Sequence, residues 1–352
     1  MKRALRLTSA IATVLVLLCS LASLVGCAVK SEPAIFDEYF DTVSTLTSFV
    51  KEERGVFEER RDAVEELLRD YHRLFDIYHE YEGIEHNLCY VNAHAAEGPV
   101  TVDPRLMELL VYAKDVHELT GGKTNIAMGA VLRLWHDCRE AANDAANPEP
   151  PRIPTREELN RAAMHIDIDD LILDTDNMTV YFADPEMSLD VGAVAKGFTA
   201  EKAKKLLISM GADSYVLDLG GNLCLIGDKG NGEPFITAIT NPDRNASDYS
   251  LRLSLADVSC VTSGNYERKY VVDGVEFHHI IDTGTLYPAK YFASVSVICD
   301  DSALADALST ALFCMSYTDG AALAERANVE VVWITEDGEV VTTDGISELI
   351  IR

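Results

Sequence analysis

Two long stretches of helical periodicity stand in the first third of the chain, and most of the remainder is short runs of alternating apolar residues. That order constrains the fold more than any single motif. "VFEERRDAVEELLRDYHRLFDIY" (56–78) carries apolar residues at helical spacing. "DPRLMELLVYAKDVHELTGG" (103–122) does the same, opening on Asp103 and Pro104 and closing on a glycine pair. Residues 36–50, "FDEYFDTVSTLTSFV", alternate and predict a strand, and 171–183 predicts a hairpin around Asp176 and Asn177. The proline-rich stretch 142–160 reads as a surface connection. Residues 199–210 predict a short helix, and "SYVLDLGGNLCLIG" predicts two strands joined across Gly220 and Gly221. Strand-like runs continue through "FASVSVIC", and beyond it come a helix at 302–315 and a closing hairpin at 329–343. Helices early and antiparallel strands late give an α+β class, mixed antiparallel sheets with helices.

The N-terminus supplies an address. Lys2, Arg3 and Arg6 precede the apolar run "AIATVLVLLCSLASLVG", which closes on "LVGC". Those flanks suit a secretory signal better than a spanning helix. A small residue directly before Cys27 is the pattern of bacterial lipoprotein signals; a plain signal peptide or an uncleaved anchor is the alternative. The expectation is a signal at residues 1–26, a lipid on Cys27, a tether over 27–35 and a domain over 36–352, outside the cytoplasm and held to the membrane by its lipid.

Charge narrows the partners. The whole chain carries a formal net charge of −28; losing residues 1–26 removes three basic residues and no acidic one, which makes it −31. Such a surface excludes nucleic acid and anionic lipid faces as partners. An anionic ligand would need a cation or backbone N–H groups to help it bind. The cysteines are scattered with no C-x-x-C spacing, which excludes zinc and dithiol chemistry of that type. Beyond Cys19 and Cys27 they are expected to be mostly buried free thiols, with one bridge left open.

Several short segments could carry chemistry. "LDVGAVAKGF" (189–198) puts a lysine among small residues, yet Lys196 is followed by Gly197 and Phe198, so this is not a P-loop. In "ADALSTAL", Asp306 and Thr310 lie four apart, on one face of a helix. A carboxylate with a hydroxyl suits magnesium, although an early-turn Asp also serves a helix dipole. "VTSGNYERKY" (261–270) places Ser263 and Gly264 in a turn that could face an anion or simply join strands. The adjacent histidines of "FHHIID" (277–282) point to opposite faces of a strand, so one can be structural and the other free for proton transfer. "GGKTNIAMGAVLRLW" (121–135) couples a helix end to a turn and a buried-looking segment.

Taken together and in this order, these segments resemble the ApbE-type FAD:protein FMN transferases, a family of exported flavin-handling lipoproteins. The likeness runs from about Phe36 to about Thr343. It rests on Asp190, Gly192, Ala195, Lys196, Gly197 and Phe198, on "DLGGN" at 218–222, on "TSGNYER" at 262–268, on "HIID" at 279–282 and on "DALSTALF" at 306–313. The resemblance implies a single catalytic domain that binds FAD with Mg²⁺ and cleaves its pyrophosphate. FMN is joined through a phosphoester to a threonine or serine of an exported flavoprotein, and AMP leaves. It implies metal ligands at Asp306, Thr310 and the carbonyl of Ala193. FAD contacts are implied at Phe40, Lys123, Thr124, Asn125, Asp190, Lys196, Ser263, Gly264 and Ile280, with His279 assisting the acceptor hydroxyl. An FAD pyrophosphatase and a non-enzymatic flavin-binding lipoprotein are the competing readings. Two departures bear on loop shape: Thr124-Asn125 replaces Phe-Asp, and Leu286 stands where many relatives have glycine.

Overall fold

The computed structural model describes residues 32–243 and 249–351. The signal at 1–26, Cys27 and most of the tether lie outside the described residues.

In chain order the elements are β1 (Ala34–Tyr39), β2 (Thr42–Ser48), α1 (Arg54–Phe75), α2 (Leu88–His94), β3 (Val100–Thr101), α3 (Pro104–Leu119), α4 (Gly129–Asn143) and α5 (Arg156–Ala162). Next come β4 (Leu171–Asp174), β5 (Thr179–Phe182), α6 (Ala195–Ser209), β6 (Ser214–Leu219), β7 (Asn222–Gly227), β8 (Phe235–Thr240), β9 (Tyr249–Leu255) and β10 (Ser259–Gly264). The last part holds β11 (Lys269–Val272), β12 (Val275–His278), β13 (Ser294–Cys299), α7 (Ser302–Phe313), α8 (Tyr317–Ala327), β14 (Glu330–Ile334), β15 (Val340–Thr342) and α9 (Ile346–Leu349).

The centre is an eight-stranded antiparallel sheet in the order β1-β2-β6-β7-β10-β13-β14-β15. One face is covered by α1, α6 and α7. Leu46, Leu217 and Cys224 pack there with Val64, Leu68, Ala203 and Leu207, and Val295 and Val297 pack with Leu308 and Leu312. The other face is closed by the β8–β9 ribbon and α9, through Phe235, Ile239, Leu253 and Ile346 over Leu225, Ile298 and Val332. Covering both faces explains why "SVSVIC" is buried almost throughout and does not alternate. Beside the sheet, α2, α3 and the small β3-β5-β4 sheet form a further core around Leu106, Leu109, Leu110 and Phe182.

The α+β reading and its antiparallel sheets hold, and four local readings are corrected. Residues 36–50 form a hairpin and not one strand, because Phe40 and Asp41 both take positive φ (57° and 51°) between the paired Tyr39 and Thr42. Two positive-φ residues make the tight turn whose twist fits a hairpin. The helix expected from 199 starts at Ala195, so Lys196 and Gly197 lie in its first turn. Within 142–160 the connection contains the start of α5, fixed by a reciprocal capping box between Thr155 and Glu158. Helix α1 stops at Phe75, three residues early, because Asp76 turns back to accept from the N–H of Tyr78 (2.6 Å) and His79 (3.2 Å).

All six described cysteines are free, and four of them, Cys138, Cys224, Cys260 and Cys314, are buried. Burial pushes the Cys314 thiol up to about 12, which keeps it protonated and inert.

Candidate active site

The site is built on the crossing of α6 and α7. Helix α7, "SALADALSTALF", is a buried helix of Ala and Leu, started by Asp301, whose side chain accepts from the N–H of Ala303 (2.8 Å) and Leu304 (3.0 Å). No side chain of its own caps α6. Asp306 of α7 takes that role, with Oδ2 accepting the Gly197 N–H at 2.7 Å. The contact needs a glycine: a Cβ on Gly197 would lie 2.2 Å from Asp306 Cβ and 2.5 Å from the Ser302 carbonyl oxygen. Two motifs more than one hundred residues apart in sequence are thus one structural unit.

Asp306 Oδ1 faces Lys196 Nζ at 3.9 Å, too long for a hydrogen bond. Burial raises the Asp306 carboxyl above the usual carboxylate range, outweighing Lys196 and the Gly197 N–H, which pull it down. One turn on, Thr310 is the partly exposed position in an otherwise buried stretch of α7. Thr310 and the Ala193 backbone line the same chamber as Asp306. A buried carboxylate with one oxygen free of hydrogen bonds, a hydroxyl and a chain carbonyl are hard oxygen donors, and this chemistry fits a magnesium ion. Among the described residues no cluster of three or more His, Cys, Asp or Glu side chains is placed to hold a metal.

The turn after α3 forms the next wall. Lys123 Nζ donates to Asp282 Oδ1 at 2.7 Å, tying the turn to the HIID segment. Thr124 is buried, and its hydroxyl donates to the Ala307 carbonyl on α7 at 2.8 Å. Asn125 uses both ends of its amide: Nδ2 donates to the Ile166 carbonyl (2.9 Å) and Oδ1 accepts the Ala127 N–H (2.9 Å). Asp190 is anchored through its N–H to the Ile126 carbonyl (2.8 Å), while its side chain accepts the Gly192 N–H (2.8 Å). Burial raises its carboxyl as well.

Thr262, Ser263 and Gly264 lie on β10, not in the turn that the sequence suggested. Ser263 Oγ is 2.7 Å from Ser309 Oγ, which in turn donates to the Asp306 carbonyl at 2.9 Å. His278 ends β12, and His279 follows it. The two histidines differ in kind. His278 Nε2 donates to the Ala289 carbonyl (2.9 Å), and its Nδ1 accepts the Ile280 N–H (3.2 Å), so neither nitrogen is free. His279 keeps a buried Nδ1 with no partner. Burial first, then Arg268, His278, Lys196 and Arg139, push His279 down to about 3, so its imidazole is neutral near pH 7. Leu286, in the glycine position, takes a left-handed φ of 66°. Its side chain is buried among Met128, Trp135 and Tyr270, and its carbonyl accepts the Trp135 Nε1–H at 2.9 Å, so packing holds a backbone that glycine would adopt freely.

These walls enclose an inner chamber of about 330 Å³ that opens into an outer one of about 790 Å³. Lys123, Thr124, Asn125, Asp190, Ala193, Lys196, Ser263, Gly264, His279, Ile280, Asp306 and Thr310 all line the inner chamber. Phe40 lines the outer one, its N–H donating to His72 Nδ1 at 3.3 Å. Sequence reasoning did not single out Tyr78, His136 and Arg139, which face both chambers, and it met Arg268, which does so too, only as the end of the TSGNYER run. His136 and Arg139 sit three apart on α4, beyond Trp135 where the motif was taken to end. That helical spacing was the signal available.

A model of the ApbE family matches residues 40–333. The FAD:protein FMN transferase of Treponema pallidum is 37% identical over 270 residues, spanning 74% of this chain and 73% of that protein. The one from Klebsiella pneumoniae is 29% identical over 277 residues, 76% of this chain and 83% of that protein. Among solved structures, the ApbE protein of Thermotoga maritima superposes with a TM-score of 0.77 at 26% identity, covering 91% of this chain and 100% of that one.

Proposed function

The chain belongs to the ApbE family, and from that membership together with the cleft we propose the reaction it performs: it is an FAD:protein FMN transferase. The observation that carries this is the Gly197–Asp306 contact, which brings the AKG and DALST segments into one chamber beside His279.

The chemistry balances simply. A hydroxyl oxygen of a threonine or serine on the acceptor protein bonds to the FMN-side phosphorus of FAD. The bond from that phosphorus to the bridging oxygen breaks, AMP leaves with that oxygen, and the hydroxyl proton passes to a base. Of the two adjacent histidines only His279 has a ring nitrogen that no protein group uses, so we assign it the hydroxyl proton. Asp306, Thr310 and the Ala193 carbonyl would hold magnesium, which neutralises phosphate charge when bound. Lys196 and Asp190 flank that position and orient the nucleotide. Met128, Leu132 and Phe277 add an apolar stretch of wall beside the inner chamber's polar groups.

The site works outside the cytoplasm in this proposal, with Cys27 acylated and the tether carrying the domain near the membrane. Cys27→Ala should then move the protein from the membrane to the soluble fraction. The reaction itself is tested with the full chain in detergent, FAD, Mg²⁺ and an acceptor domain bearing the target threonine, read by intact mass. FMN added to the acceptor, and lost in Asp306→Ala or with a chelator, supports the reading. FAD falling to FMN and AMP with the acceptor unlabelled replaces it with a pyrophosphatase, and FAD binding with no turnover replaces it with a carrier.

A further inference from the structure

Where the two chambers meet, the wall carries Arg139 from α4 and Arg268 from the β10–β11 connection. Arg139 lies outside the motifs that carry the family resemblance, and Arg268 closes the TSGNYER run without a role assigned to it. Arg268 makes no ion pair with a carboxylate among the described residues; its guanidinium donates only to the Asp41 carbonyl, at 3.4 Å. This is unexpected in a chain whose 58 acidic residues outnumber 30 basic ones. Arg139 is sunk into the wall, its side chain 15% exposed, and its one carboxylate partner is the 59% exposed Glu140 at 3.2 Å. A half-solvated partner neutralises little. By contrast, Lys123 has the buried Asp282 at 2.7 Å, and Lys196 faces Asp306.

The charges of both arginines are felt inside. Arg268, Lys196 and Arg139 all disfavour protonation of His279, and Arg268 also draws the Asp190 carboxyl downward. The positive potential of the two guanidinium groups therefore converges on the inner chamber. Arg139 has a second effect. It can only donate, so His136 Nδ1, 2.9 Å from its Nη2, accepts that hydrogen bond and is held in place by it. His136 in turn rests against the Tyr78 ring at 5.3 Å.

A guanidinium is a planar fork that matches phosphate oxygens two at a time. We propose that Arg139 and Arg268 receive the phosphates of FAD at the waist of the cleft, so that pyrophosphate recognition is set there as well as at Lys196. The proposal rests on the transferase reading and adds to it the residues that select a phosphate-bearing nucleotide. Carboxylates such as Asp41, Asp190 and Glu267 line the same waist, so without the arginines a nucleotide anion would meet repulsion there.

The test is equilibrium binding to the full chain in detergent, with chelator present so that protein groups alone are read. The probes are FAD, ADP and, as the phosphate-free control, adenosine. Arg268→Gln and Arg139→Gln should each weaken FAD and ADP about tenfold or more, the scale of one charge-assisted contact, and leave adenosine unchanged. Arg139→Lys should recover part of the loss. Arg268 is exposed at the rim, so its replacement leaves the melting temperature unchanged and keeps the test independent of folding. FAD and ADP binding unchanged in both variants overturns the proposal while leaving the transferase reading intact. Equal losses for ADP and adenosine also overturn it, because the arginines would then only shape the wall. A wild-type chain that binds FAD neither with chelator nor with added Mg²⁺ overturns both readings together.

Discussion

Gly197→Ala tests whether the α6–α7 crossing sets the position of the candidate metal carboxylate. On an isolated helix this change stabilises, since alanine is preferred to glycine in a helix interior by about 0.5–1 kcal/mol. Here the new Cβ would stand 2.2 Å from Asp306 Cβ, 2.5 Å from the Ser302 carbonyl oxygen and 3.0 Å from Asp306 Cγ. Ordinary carbon contacts need about 3.5 Å or more, so the two helices must part by roughly an ångström. Two of the three clashing atoms belong to the very side chain whose Oδ2 accepts the Gly197 N–H. The third is backbone and cannot rotate away. Overpacking of this kind costs about 1–3 kcal/mol, more than the helix gain, so a net loss of about 1–2 kcal/mol is expected. In a chain of this size that lowers the melting temperature by only a few degrees. The effect on transfer should be larger, because displacing a reacting group by about an ångström costs on the order of a hundredfold. Thermal unfolding and acceptor labelling on the same sample read both. A Gly197→Ala chain as stable and as active as the parent would refute the reasoning, since the helices would then have room that the structure denies.

Three further outcomes follow from the same geometry. Asp306→Asn should keep an acceptor for the Gly197 N–H and remove a carboxylate that burial disfavours, so the melting temperature should hold or rise while transfer falls on the order of a hundredfold or more. Asn125→Asp should forfeit the donor to the Ile166 carbonyl and set a carboxylate against it, a loss of about 1–3 kcal/mol seen in denaturant midpoints. The third concerns pH. His279 is held down to about 3 in the folded chain against 6.5 ordinarily, by burial and by Arg268, His278, Lys196 and Arg139, so the unfolded chain binds more protons between those values. Its contribution is fully present above pH 6.5 and is lost as pH falls toward 3, and His279→Phe should flatten that part of the stability profile.

Much of the architecture was legible because it is periodic. The hairpin at 171–183, the Gly220–Gly221 turn and the closing hairpin appear where alternation and turn residues put them. The errors have physical causes. The turn at Phe40 and Asp41 lacks the Gly or Asn that announces a tight hairpin turn, so its strands read as one. The start of α6 was misplaced because its cap comes from Asp306, more than one hundred residues away, and no local residue signals it. Arg139 was not singled out, and Arg268 was quoted in its motif without a role, because a cation announces a ligand only by the partners it lacks, and those are visible only in three dimensions. The two histidines were separable in principle from sequence, but which of them was tied down depended on the Ala289 carbonyl returning beside His278.

The energetics of Asp306 bear on why the site is arranged as it is. Folding buries this carboxylate, leaves Lys196 at 3.9 Å and supplies one strong hydrogen bond, and the balance still favours the neutral acid relative to water. A residue kept only for stability would sit better as asparagine, which accepts the same N–H without a charge to desolvate. Retaining the charge makes sense when something outside the chain offsets it, and a divalent cation arriving with a nucleotide does so. In the proposed reaction the same cation would let a chain of net charge −28 accept an anionic substrate. On this account Lys196 is a placeholder as well as a ligand contact: it partly compensates Asp306 while no metal is bound and can turn to phosphate when one is. An Asp306 that titrated in the normal carboxylate range in the metal-free protein, followed by its carboxyl resonance, would remove the basis for that account.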